Sequence, residues 1–278
     1  MHSARKDFSR CLKLPFDMIP KHTQDGPVRA IDRALGVLNV LREINGGTLT
    51  EISEHVDLPK STLHNHLVTL ERNHYIVKKD NEYHLGVRFL NFGEFVKQQR
   101  PGFEEAKPVV EELAESTGER VQFVAEEHGH TVYVHIAEGD RAVKSRTAVG
   151  QRGGAQLHAT AAGKAILAFL SEERRKAVLD YWGLSKITEN TIQDRERLLA
   201  ELEEIRERRY ALNREEHIEG LYAVGVPVIG PDESVIGAIS VSGPTHRMQG
   251  RRLTTELPEL LLGASNELEL NINFSESE

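Results

Sequence analysis

Lys60, Ser61, Thr62, His64, Asn65, His66 and Thr69 crowd into one short stretch, and each can donate a hydrogen bond to a phosphate or a base edge. Leu63, Leu67 and Leu70 are threaded among them at i, i+4 and i+7, which puts the leucines on one stripe of a helix and the polar residues on its other faces. A helix of that kind suits the major groove of DNA, and Lys78 and Lys79 follow soon after as two further phosphate partners. The chemistry is recognition of a polyanion. A second cluster lies near the far end, where Ser240 and Ser242 alternate with apolar residues and so share one face of a strand. Taken alone they are core hydroxyls or donors to a ligand. No Gly-x-Ser-x-Gly elbow accompanies them, so a serine nucleophile is disfavoured. Gly150-Gln-Arg-Gly-Gly154 and Ala162-Gly-Lys164 miss the phosphate-loop spacing, because Ala165 follows the lysine. Among the histidines, His64 and His66 are two apart on a helix and cannot share a face, and His128 and His130 flank a turn. His158 and His217 could both border a pocket, but the expectation is no metal site, no cofactor and no catalytic residue.

These residues need elements to hold them. Thr48 and Glu51 have capping-box spacing, and Leu49, Ile52 and Val56 continue as a short helix that Asp57 and Leu58 end. Pro59 suits the first turn of the next helix, which carries the polar cluster. Two short helices around a tight turn make a helix-turn-helix. Upstream, Ile31, Ala34, Leu35, Leu38, Leu41 and Ile44 predict a longer helix that stops at Asn45-Gly46-Gly47 and completes a three-helix core. Downstream, the runs on either side of Asp80-Asn81 predict a hairpin, the wing of a winged version. Val87, Phe89, Leu90, Phe92, Phe95 and Val96 then predict a linker helix whose exposed aromatic face packs on a second copy of the chain.

The remainder mixes strands and helices without strict alternation, an α+β pattern. A helix ends at Gly118, strands follow over 121–125 and 131–136, and a third strand is expected over 142–148. Small residues from His158 lead into an apolar helix reaching Leu170, and further helices are expected over 172–181 and 195–209. Apolar strands over 223–229 and 235–242 flank Gly230-Pro231-Asp232, and a helix over 253–270 closes the order.

The chain of 278 residues carries a formal charge of −8, an unpromising balance for a DNA-binding protein until it is divided by position. Residues 21–100 hold 11 basic and 10 acidic side chains, whereas residues 101–278 hold 20 and 31. The acidic excess therefore belongs to the second part, and the halves face different partners. One cysteine, Cys11, excludes a disulfide framework and points to a reducing, cytoplasmic setting. No apolar run is long enough to span a membrane, and no secretory signal is evident.

The order of motifs resembles the IclR family of transcriptional regulators across nearly all of residues 27–250. Carrying the resemblance are Arg29-Ala-Ile-Asp-Arg-Ala-Leu35, Leu58-Pro-Lys-Ser-Thr-Leu-His64, His158-Ala-Thr-Ala-Ala-Gly-Lys-Ala165, Glu215-Glu-His-Ile-Glu-Gly-Leu221 and Gly237-Ala-Ile-Ser-Val-Ser-Gly243. The resemblance implies a winged helix-turn-helix over 27–86, a linker helix over 87–101 and a GAF-like effector-binding domain over 102–270. A flexible extension (1–26) and a tail (271–278) lie outside these. It implies dimers or tetramers, a double-stranded DNA operator, and a small effector such as an organic acid or a sugar or aromatic metabolite, controlling a catabolic or metabolic operon. Position by position, it assigns the effector to Ala161, Ala162, Asn213, Ala223, Ser240 and Ser242. Asn213 stands where relatives have an acid, and Ala223 where some have cysteine. Two other readings remain open: an enzyme dimerised by its front domain, and a DNA-binding protein with a degenerate, ligand-free sensor.

Overall fold

The computed structural model describes residues 28–275 other than 146, 154 and 155, in two compact units that divide between Gly93 and Glu94. The extension expected over 1–26 and the last residues of the expected tail lie outside the described residues. No helix among them is long and apolar enough to cross a membrane.

The first unit runs α1 (Arg29–Glu43), β1 (Gly47–Thr48), α2 (Leu49–His55), α3 (Lys60–Arg72), β2 (Ile76–Lys79) and β3 (Glu82–Leu85). The capping box forms as spaced: the Thr48 N–H donates to the Glu51 carboxylate at 2.8 Å, and the Glu51 N–H donates to the Thr48 hydroxyl. The Thr48 N–H first, and then the Thr48 hydroxyl, which also donates to the carboxylate at 2.8 Å, hold the Glu51 carboxyl below its usual range. Asp80 and Asn81 both take left-handed φ values, +49° and +70°, which a two-residue hairpin turn demands. Val37, Leu41, Ile52, Leu63, Leu67, Leu70, Ile76 and Tyr83 form the buried core. The expected α1 stripe needs correcting at its start. Ile31 and Leu35 are 58% and 54% exposed while Val37 is fully buried, because α2 and α3 cover only the second half of α1. β1, paired to β3 through Gly47 and Tyr83, was not anticipated, since two residues have no period to read.

Helix α4 (Arg88–Gln98) carries the chain across the boundary. Its first half docks on the wing root: Arg88 donates to the Asn73 carbonyl at 2.7 Å, and Phe89 and Phe92 pack on Tyr75.

The second unit is one antiparallel sheet in the order β5-β4-β8-β7-β6, built from β4 (Arg120–Glu127), β5 (His130–Glu138), β6 (Ala211–Arg214), β7 (Leu221–Ile229) and β8 (Val235–Pro244). One face turns Val121, Phe123, Val226, Ile239 and Val241 into a core shared with α5 (Ala106–Thr117) and α9 (Leu257–Ser275). The other is covered in part by α6 (Ala161–Phe169), with α7 (Glu172–Trp182) and α8 (Arg195–Arg208) outside it. Three expectations change. The described residues of 142–148 form no strand; the backbone of 150–153 pairs with β5 instead, with Gly150 and Gly153 donating to the Tyr133 and Thr131 carbonyls at 2.7 Å. β6 was missed, because four residues ending in Asn213-Arg214 carry too little apolar alternation. The last helix runs on to Ser275, since Ile272 still finds core to bury against.

Helix α6 is apolar nearly all round, which explains why it is enclosed. Its one charged residue, Lys164, is fully buried, with its ammonium 2.6 Å from Glu201 and 2.7 Å from Glu216. The lysine that gave the stretch its phosphate-loop look is therefore a structural cation. Burial holds the Glu216 carboxyl above its usual range, against the opposing pull of Lys164. Lys164→Met leaves two carboxylates without their cation and is expected to cost about 3–5 kcal/mol in denaturant unfolding. An acid whose folded-state pKa is raised loses stability as pH climbs from its unfolded value through its folded one. The variant's melting temperature should thus fall more steeply than the parent's over the window that opens as pH rises above the ordinary carboxylate range. A deficit constant across that window would contradict this account.

Candidate nucleic-acid interface and effector cavity

On α3 the leucine stripe is buried, and that burial turns Lys60, Ser61, His64, Asn65 and Thr69 outward, with Thr62 and His66 half-buried at the flanks. Pro59 takes the N-cap position and no side chain caps this end, so backbone N–H groups and the helix dipole there suit an anion. The Thr69 hydroxyl donates back to the Asn65 carbonyl at 2.8 Å and offers only its lone pairs outward. Lys78 and Lys79 are both exposed on the wing, but neighbours on a strand point to opposite sides. Lys78 lies 5.1 Å from the Tyr83 ring centre, whereas Lys79 stands across the ladder from Glu82. The pair cannot grip one phosphate together. On α4, Leu90, Phe92, Phe95 and Val96 are all exposed, with Val87 just ahead of them.

In the second unit a cavity of about 270 Å³ lies between the sheet, the start of α6 and the 143–147 loop. All six residues assigned by resemblance, Ala161, Ala162, Asn213, Ala223, Ser240 and Ser242, line it. The strand register explains why. Arg120, Ser242 and Ala223 are successive partners across β4, β8 and β7, and Asn213 on β6 pairs with Ala223. Gln122, Ser240 and Gly225 form the next row. Where these rows give way to Val124 and Ala238 the same face turns apolar and α6 packs on it. At Gly225 the α6 backbone comes so close that a Cβ would stand 2.6 Å from the Ala161 carbonyl carbon and 2.7 Å from the Ala162 nitrogen. The Thr160 hydroxyl caps the helix by accepting from the Gly163 N–H at 3.0 Å.

The cavity's polar groups differ in what they have to spare. Asn213 donates to the Ala159 carbonyl and accepts from the Glu216 N–H, so one end of its amide braces the turn ahead of α6 and the other the segment after β6. Ser240 accepts from the Gln122 amide at 3.1 Å and keeps its own proton for a ligand. His217 is on the wall, and burial pushes its imidazole below the usual histidine range. His158 is not on the wall; its Nε2 meets the Ser185 carbonyl at 3.1 Å. His130 packs edge-on against Trp182. Among the described residues no group of three or more His, Cys, Asp or Glu could hold a metal ion. Arg120, Gln122, Tyr133, Thr160 and Lys144 also line the cavity and were not anticipated. A signal existed for two of them: Arg120-Val-Gln-Phe123 alternates polar with apolar just as the serine strand does.

Two family models match the chain: the IclR helix-turn-helix domain over residues 30–80, and the bacterial transcriptional regulator IclR C-terminal over residues 97–269. A probable HTH-type transcriptional regulator, ArcR, of Halobacterium salinarum is 30% identical over 92% of this chain and 99% of its own length. The crystal structure of the Thermotoga maritima IclR superposes with a TM-score of 0.75 at 27% identity, covering 88% of this chain and 98% of that one. The inducer-binding domain of a double mutant of PobR from Acinetobacter, solved with 3-hydroxybenzoic acid, superposes with a TM-score of 0.54 at 27% identity. It covers 60% of this chain and 96% of its own.

The contact at Gly225 fixes where the α6 N-terminus sits on the cavity floor. Gly225→Ala drives a methyl into backbone that has no side chain to swing aside. The expected cost is about 1–3 kcal/mol of stability, and the fold that survives should lose any ligand that the cavity takes. Unaltered melting and unaltered ligand binding would show that the approach is looser than drawn.

Proposed function

Because the chain belongs to the IclR family of transcriptional regulators, we propose that it binds a pseudo-palindromic operator as a dimer, or a dimer of dimers, and answers to a small organic acid. In this reading residues 27–86 are the DNA-binding module, 87–101 the dimerising linker and 102–270 the sensor, acting in the cytoplasm on a catabolic or metabolic operon. The observation that carries it is the outward polar face of α3, held there by the buried Leu63, Leu67 and Leu70. Asn65 and His64 read base edges, Thr69 offers its lone pairs to a base amino group, and Lys60, Ser61, Thr62, His66 and the wing lysines hold the phosphates. The exposed run of Leu90, Phe92, Phe95 and Val96 is the surface for the second copy, which sets the spacing of two half-sites. The second unit is a sensor and not a catalyst in this reading, since Ser240 is met by an amide where a nucleophile needs a base. In Ala161, Ala162, Ser240 and Ser242 the cavity offers backbone and hydroxyl donors at a helix N-terminus, which suits a carboxylate.

Binding of the full chain to duplexes selected from a random pool, measured by anisotropy beside unselected DNA, tests the division of labour on α3 and the wing. Asn65→Ala should lose about 1–3 kcal/mol on selected duplexes and little on the rest. Lys79→Ala should weaken both alike and lower the salt slope by about one. Loss shared equally between the two DNA classes by both variants would refute the assignment. Leu90→Glu together with Phe95→Glu should move the chain toward monomer in sedimentation and weaken selected-duplex binding; an unchanged mass would remove α4 from the interface.

A further inference from the structure

The cavity is charged in a way that a single carboxylate does not account for. Two cations, Arg120 and Lys144, stand among the described residues lining it, and no aspartate or glutamate does, in a domain whose surroundings are strongly acidic. His217, held neutral by burial, adds no charge. Arg120 is buried, and it points from the opposite side of the cavity to the α6 N-terminus. Its strand β4 is two ladder positions from β7, where Gly225 seats that helix start, and Ser242 and Ser240 on β8 lie between. At about 4.8 Å per strand the backbones of β4 and β7 are roughly 10 Å apart, and the Arg120 guanidinium, turned toward Glu138 on β5, stands farther than that from the α6 N-terminus. With a hydrogen bond of about 2.9 Å at each end, at least about 4 Å remains between the groups that they hold.

Part of the Arg120 fork is already used. One Nη donates to Glu138 on β5 at 2.5 Å, and the other reaches the Thr147 carbonyl at only 3.4 Å. A guanidinium has five N–H donors in a planar fork, so donors remain for a second acceptor, and the long contact to Thr147 is cheap to exchange. Lys144, on the loop beside Thr147, is exposed at the cavity lip and can swing in without leaving any partner buried.

We propose that the effector is a dianion, a short dicarboxylate of four or more carbons. One carboxylate takes the α6 N-terminus with Ser240 and Ser242, and the other takes Arg120 and Lys144. The inference rests on the sensor reading above and adds the second pole to it. The Gln122–Ser240 pair forms the floor between the poles, a polar strip that admits hydroxyl or keto substituents on the connecting carbons.

Calorimetric titration of the full-length chain with succinate and glutarate, beside butyrate and pyruvate as one-carboxylate probes, tests it. The diacids should bind at least about tenfold more tightly, as one added charge-assisted contact allows. Arg120→Gln should abolish that preference while leaving the monoacids where they were. Because Arg120 also pairs with Glu138, two gentler variants guard against misfolding. Lys144→Gln, at an exposed position, should weaken diacids alone by a few-fold, and Glu138→Gln, which removes the competing carboxylate, should tighten them. Equal binding of diacids and monoacids, or variants that lower both together, overturns the second pole and leaves the one-carboxylate sensor standing. Silence from all four probes overturns the second pole and the organic-acid reading with it.

Discussion

The second unit depends on how the first turn of α6 is seated. Its backbone lies directly on β7, an approach that only a residue without a side chain permits, and Gly225 supplies it. Three further contacts, each from a different direction, hold that seat. Thr160 caps the helix, the Asn213 amide ties the preceding turn to β6, and Lys164 anchors the next turn between Glu201 and Glu216. Asn213 also accepts from the Glu216 N–H, so strap and anchor share a residue. A helix N-terminus brought onto a sheet in this way cannot be covered by more protein without burying unpaired N–H groups. The space left over the polar rows of β4 and β8 is the cavity.

A similar constraint on a smaller scale shapes the first unit. A core this small has to commit every apolar stripe it has, and α3 commits its leucines. The helix has then only polar residues left to show. The capping box at Thr48 and the two left-handed residues at the hairpin tip set the ends of the neighbouring elements, so the exposed face of α3 is framed by structure fixed locally. What α1 leaves uncovered, Val28, Ile31 and Leu35, is apolar and belongs to no core within the described residues.

Most of this was legible where one local rule sufficed. The capping box, the Asp80-Asn81 turn, the Gly118 stop and the leucine stripe each depend on a few neighbouring residues, and each stands as spaced. Misses came where distant pairing decided the outcome. Residues 142–148 alternate well enough to read as a strand, yet the β5 edge is taken by 150–153, which only the three-dimensional register reveals. β6 is too short to show a period, and it exists because β7 offers it a ladder. On the cavity wall the same limit applied: the alternation marks Ser240 and Ser242, while Arg120, outside the strand expected over 121–125, and Gln122 become their ladder partners only through the register. Asn213 lines the wall, but its amide is spent on the backbone, a fact that no spacing encodes.

The cavity's walls also differ in stiffness, and this bears on how a sensor of this shape can respond. The floor is a continuous ladder from β4 through β8 to β7, with neighbouring strands holding each residue from both sides. Among the described residues, the opposite wall at 143–145 and 147 belongs to no strand ladder. It has the long Arg120 contact to Thr147, a local Ser145–Thr147 hydroxyl pair, and the Gln151 side chain accepting from the Ala148 N–H. A ligand changes a population only through contacts that differ between the states it connects. Contacts with the floor are nearly the same in any state that preserves the sheet, so they contribute affinity. Contacts with the loop can change without breaking the sheet, so they can carry a difference. Arg120 is the residue common to both walls: its backbone belongs to the ladder and its guanidinium reaches the loop. A ligand group that draws that guanidinium from Thr147 therefore acts at the point where binding can become a signal.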